Sequence, residues 1–248
     1  MRLRVRGGRG TVVGVVVLSA LVCPPAGLLG DVLRAYTPIR VIHSSGSLWH
    51  GSGLIALSDG RRAFLVPGLV AWNVDVPALF LGQLVLSLDH DMVDGAVTVV
   101  AGGGTVRVGK GRARVPAALL TLIGPPFNTV RPGGMLDIRW EELRFQGGGF
   151  EGILEVRWDN AQSALSRVAP LGSYSLSVTG RGMRGVASLR TLEGPLILQG
   201  EGTMREGVIR FSGTADAAPN MRGSLDALIG LLGKRSGDGA LLEWEIKI

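Results

Sequence analysis

GSYSLSVTGRGMRGVASLRTLEGPLILQGEGTMREGVIRFSGTADA, residues 172–217, decides the fold. Short runs rich in Val, Leu and Ile, at Ser173–Thr179, Val186–Leu192, Pro195–Gly202 and Gly207–Ala215, are separated by glycine-bearing breaks. Turn signals about every 8–12 residues are the spacing of a β meander. The same grammar extends in both directions, predicting strands at Ser47–Leu57, Arg62–Asp75, Gln83–Leu88, Gly95–Val100, Thr105–Val115, Gly134–Phe145, Gly152–Trp158 and Leu241–Ile248. In several of them the period is two: Val106 and Val108, or Leu154, Val156 and Trp158, fall on one face, while Arg107, Glu155 and Arg157 fall on the other. Such strands bury one face and wet the other.

Helical pattern is scarce. Pro116 opens a short segment through Leu122, and Asn160 is placed to cap a turn through Leu165. Gly223–Leu232 carries Leu225, Leu228, Ile229 and Leu232 at helical spacing, with Gly233 just after its end. The expected fold class is therefore mainly β: an N-terminal transmembrane helix followed by a meandering antiparallel β-sheet domain with a few short helices.

Composition agrees. Glycine is 39 of 248 residues, about twice its usual share of roughly 7%, without a collagen period. Hydrophobic residues are 46% and charged ones 19%, which is too apolar for a disordered chain. One cysteine excludes an internal disulfide, and three histidines with one cysteine do not build an ordinary structural zinc site.

Arg2, Arg4, Arg6 and Arg9 carry most of the net charge of +6, so the body is close to neutral. Nucleic acid is not an expected partner, because basic side chains are not gathered along the body. From Gly10 to Gly30 no residue is charged, and at about 1.5 Å per residue this stretch reaches roughly 30 Å, the thickness of a bilayer core. The reading is a cytoplasmic basic arm at 1–10, a transmembrane anchor at 11–30 and a periplasmic β-rich domain at 31–248, oriented by the positive-inside rule. A cleaved signal peptide is the alternative. Lipidation at Cys23 fits less well, since Val22 stands where a small residue is wanted. Within 31–248 the Pro125–Gly134 segment suggests two β halves, 31–125 and 126–248.

No catalytic, metal or cofactor site is expected. Asp89-His90-Asp91 with Asp94 offers metal-like ligand types, but its position between two strands reads as a solvated hairpin turn. Gly102-Gly103-Gly104 lacks the following helix that a phosphate loop requires and reads as a hairpin loop. His43 and His50 flank a serine-rich stretch with no spacing that implies a nucleophilic site. Glu141-Glu142 place adjacent carboxylates on opposite faces of a strand.

Aromatic–glycine signatures are more informative. Trp49 sits between Gly46 and Gly51, and Trp72, Trp140 and Trp158 recur on later strands. We read each tryptophan as a core plug accommodated by a neighbouring glycine.

Gly46-Ser47-Leu48-Trp49-His50-Gly51, Leu69-Val70-Ala71-Trp72 with Pro77-Ala78-Leu79 and Gly82-Gln83-Leu84, and Val156-Arg157-Trp158 with Ala161 are followed by Pro170-Leu171-Gly172-Ser173-Tyr174. Glu193-Gly194-Pro195-Leu196, Gly200-Glu201-Gly202, Phe211-Ser212-Gly213-Thr214-Ala215 and Leu231-Leu232-Gly233-Lys234-Arg235 complete the order. With the basic arm and apolar span, this series resembles the type II secretion system protein N family, also called general secretion pathway protein N. The resemblance implies a single-pass inner-membrane subunit with a periplasmic domain, non-enzymatic, whose partners are other secretion-system subunits. Gly46, Trp49, Gly51, Trp72, Trp158, Pro170, Gly172, Tyr174, Gly194, Pro195 and Gly233 are its structural motif positions. The alternative is similarity to the AsmA-like family, in which an anchored β groove binds or transfers lipid. The two differ in whether the concave face of the sheet is filled by side chains or left as an apolar trough, which periodicity does not decide.

Overall fold

The computed structural model describes residues 39–58, 63–123, 127–205 and 208–247. The arm and the expected anchor at 11–30 lie outside them. No helix of the described residues is long and apolar enough to cross a membrane.

The described strands form one antiparallel sheet. Its first part comprises β1 (Ile39–Gly46), β2 (His50–Ser58), β3 (Ala63–Val74), β4 (Leu84–His90) and β5 (Val97–Gly102). The middle comprises β6 (Thr105–Val108), β7 (Gly111–Pro116), β8 (Pro132–Trp140), β9 (Leu143–Gln146) and β10 (Gly149–Ser163). The last part is β11 (Gly172–Gly182), β12 (Arg184–Glu193), β13 (Leu196–Arg205), β14 (Val208–Ala217), β15 (Lys234–Ser236) and β16 (Gly239–Lys247). From β1 to β5 and from β10 to β14 each strand pairs with the next, so the expected meander holds.

Two expected strands are each divided. Thr105–Val115 becomes β6 and β7 with a break at Gly109-Lys110, and Gly134–Phe145 becomes β8 and β9 with a break at Glu141-Glu142. The breaks face each other, because β6 pairs β9 and β7 pairs β8 in one register, from Thr105↔Gln146 to Pro116↔Met135. Beyond the break the outer edge of β7 leaves β5 and is met by the turn after β4, where Asp94 N–H donates to the Arg112 carbonyl and Arg114 N–H to that of Met92. Of the Pro125–Gly134 segment, 125–126 lie outside the described residues; β7 before it and β8, which begins within it, are paired strands.

Asn160 does not cap a turn. It sits inside β10 with φ +50, at a bulge where the register with both β8 and β11 shifts, and the strand continues to Ser163. Gly102-Gly103-Gly104 is a hairpin loop as expected: Gly103 and Gly104, at φ +58 and +73, make the tight turn between β5 and β6.

Helices are short covers. α1 is Val76–Phe80, α2 is Phe127–Val130 and α3 is Arg222–Leu232, with 3-10 turns at Ala117–Ile123 and Pro219–Met221. α3 matches the helical spacing of the sequence: Leu225, Leu228 and Ile229 are buried. They pack with Leu171, Tyr174, Leu196, Ala215, Ala217 and Leu242 of the sheet. The small Ala215 and Ala217 let the helix approach the strands.

Candidate functional site

Each indole of three tryptophans is fixed by the same device. Trp72 Nε1 donates to the Leu48 carbonyl at 3.1 Å, Trp140 Nε1 to that of Gly109 at 2.8 Å and Trp158 Nε1 to that of Gly133 at 2.9 Å. The seat for two rings is a directly cross-paired glycine, Gly51 for Trp72 and Gly111 for Trp140. A Cβ added at Gly51 would stand 2.5 Å from the Trp72 ring, and one at Gly111 would enter the Trp140 ring. Gly51 therefore accommodates Trp72 on the next strand, because strand register rather than sequence adjacency brings ring and glycine together. Trp49 is half-buried in the turn between β1 and β2, where its carbonyl accepts from Val74 N–H, and Gly46 closes the same turn against His50.

Gly172 and Tyr174 meet Gly194 and Leu196 in one knot, with Pro170 and Pro195 next to it along the chain. Leu171 N–H donates to the Ala161 carbonyl at 2.7 Å and Leu196 N–H to that of Leu171 at 3.0 Å. Ser173 Oγ donates to Glu193 Oε1 at 3.1 Å. A side chain at Gly194 would collide with the backbone of Gly172, so the two turns touch only because both are glycine. Tyr174 is 2% exposed, and burial pushes its phenol pKa up, keeping it a neutral donor. Gly233 ends α3 where an added Cβ would meet the Leu241 carbonyl.

The acidic cluster straddles the end of β4 rather than lying wholly in a turn: Asp89 and His90 pair with Ala71 and Val70 of β3, and Asp91 opens the turn. His90 Nδ1 accepts from Met92 N–H at 2.9 Å, Asp89 and Asp91 are exposed, and Asp94 lies 3.7 Å from Arg112. A second charged cluster, not singled out in the sequence, holds the β7–β8 pair. Asp137, 6% exposed, accepts from Arg112 Nε at 3.0 Å and Arg139 Nε at 3.2 Å, and also from Arg112 Nη2. The Arg112 hydrogen bonds and charge hold its carboxyl below the usual range.

Two features remain that secondary structure does not consume. The first is an apolar tip after β3. Asp75 caps α1 by accepting from Ala78 N–H at 3.4 Å, Ala78 is buried, and the turn closes with Leu81 N–H donating to the Ala78 carbonyl and Gly82 N–H to that of Leu79. This rigid turn holds Phe80 and Leu81 out at 87% and 82% exposure.

The second is a cavity of about 460 Å³ on the inner face of the sheet. Cross-strand rungs build it: Ile138, Val156, Leu176 and Leu189 form one, and Val178, Ala187, Gly202, Phe211 and Trp244 another. Leu228 and Leu232 of α3 and Phe127 and Val130 of α2 cover it. Its surface is essentially all carbon. The inner face is thus an apolar trough that side chains do not fill.

Fold and sites together define an all-β scaffold with an exposed apolar tip and an apolar trough. A family model described as type II secretion system protein N matches residues 38–242. The chain belongs to the type II secretion system protein N family, and its involvement is in type II protein secretion. No curated protein and no solved structure matches the chain.

Proposed function

We propose that this chain is a non-enzymatic, single-pass inner-membrane subunit of the type II secretion system. In this reading its N-terminus is cytoplasmic and its β domain periplasmic, and it works by contacting other subunits. Family membership supports the secretion role. The uncharged run from Gly10 to Gly30 behind four arginines supports the anchor and its direction. The observation that carries the contact mechanism is the Phe80-Leu81 tip. Two adjacent large apolar side chains, more than four-fifths exposed on a capped turn, are preorganised for burial by a partner.

Complementation tests it. In cells lacking the chain, the Phe80→Ser/Leu81→Ser double variant accumulates to the parent's level but fails to restore release of secreted proteins to the medium. Full restoration by that variant would contradict the tip as the contact.

A further inference from the structure

We propose that the trough holds one acyl chain of a phospholipid, with the head group left in water. Secretion-subunit contacts are not needed for this assignment; it begins from the lining.

About 460 Å³ lies within the usual range of small-molecule pockets, roughly 300–1,000 Å³. Pockets that orient a polar ligand place polar groups inside; here Gln162 is exposed to solvent, and the polar atoms of Ser163, Trp158 and Tyr174 are already committed. Ser163 Oγ donates to the Val130 carbonyl at 2.6 Å and accepts from Leu165 N–H. The Trp158 indole N–H is held by Gly133 and the Tyr174 hydroxyl by Leu171 and Leu196. Among the described residues no Lys, Arg or His lines the space, so a carboxylate or phosphate drawn inside would be desolvated without a counter-ion. A peptide would bring backbone N–H and C=O groups with the same difficulty. Hydrocarbon brings none.

Dimensions agree. Lining residues run across β8, β10, β11, β12, β13, β14 and β16, six strand spacings of about 4.8 Å, or roughly 29 Å along the sheet. One leaflet of a bilayer core is about half of 30 Å, so an acyl chain fits within the trough. On the inner rungs the Phe211 ring lies over Gly200 and Gly202, and the small Ala187 leaves the lining low beside it. Reach is the one point that rests on the anchor reading: the uncharged run ends at Gly30, nine positions before Ile39, a tether of at most about 32 Å.

Photolabelling of the full chain in intact cells tests the proposal. Cells fed palmitate carrying a mid-chain diazirine incorporate it into phospholipid; after illumination the chain is purified and adducts are mapped by mass. The expected result is adducts of intact phospholipid mass on Leu176, Val178, Leu189 and Leu198, with at least tenfold fewer in Ala187→Trp, which fills the rung between Val178 and Gly202, at unchanged or higher melting temperature. Ala187→Leu serves as a milder filling if the tryptophan variant does not accumulate. Adducts absent from these residues, adducts of free fatty acid mass only, equal labelling in the filled variant, or occupation of the trough by a segment of protein would each overturn the proposal. Because labelling is read on the trough itself, loss of subunit contacts leaves the result unchanged.

Discussion

The hydroxyl of Tyr174 lies 2.9 Å from the carbonyl oxygen of Leu196, on a strand two places along the sheet, and 3.2 Å from that of Leu171. The side chain thereby ties the turn before β11 to the turn before β13, above the close approach of Gly172 and Gly194.

Tyr174→Phe keeps the ring and removes both of these hydrogen bonds, so it should lower stability by about 1–3 kcal/mol in urea unfolding. A phenol pKa raised by burial favours the protonated form in the folded state. This stabilisation is therefore complete below the unfolded tyrosine's value near 10 and is lost as pH rises above it. The parent should lose stability in that alkaline range more steeply than Tyr174→Phe.

Gly111→Ala places a methyl inside the Trp140 ring, all three nearest atoms being of that ring. The expected cost is about 1–3 kcal/mol. In a Trp140→Ala background the same substitution should be close to neutral, and a double-mutant cycle measures the difference. Trp72→Ala, with the ring 5% exposed, should cost about 3–5 kcal/mol, more than Trp49→Ala at its half-buried turn.

Asp137 ionises more readily in the folded protein, chiefly through its hydrogen bonds from Arg112. Its contribution is thus present above the unfolded carboxyl's value near 4 and is lost as pH falls through that range. Asp137→Asn should destabilise by roughly 1.5–3 kcal/mol at pH 7 and flatten the acid limb of a stability-against-pH curve below about pH 5.

If the proposed topology holds, alkaline phosphatase fused after Leu57 is active in cells, the outcome expected from the charge asymmetry across residues 11–30. An inactive, cytoplasmic fusion would contradict the topology.

Much of the sheet was legible because period-two alternation and glycine punctuation are local signals; α3 was legible because Leu225, Leu228 and Ile229 recur at helical spacing. Register was not. Gly51 seats Trp72, and Gly111 seats Trp140, through cross-strand pairing, which the order of residues along one strand does not carry. The trough was hidden for the same reason: alternation tells which side chains face inward, not that Ala187, Gly200 and Gly202 stand on neighbouring inner rungs. Asn160 looked like a cap because a short polar residue serves both caps and bulges. Asp137 gave no signal until β7 brought Arg112 to it.

In the proposed function the β domain acts by touching other secretion subunits. A photoreactive phenylalanine analogue at position 80 of the full chain, activated in intact secreting cells, tests it most directly. The account predicts a crosslinked product containing another subunit of the type II system, reduced when Leu81 is serine. Crosslinks to a second copy of this chain alone, or none at all despite normal secretion, would contradict it.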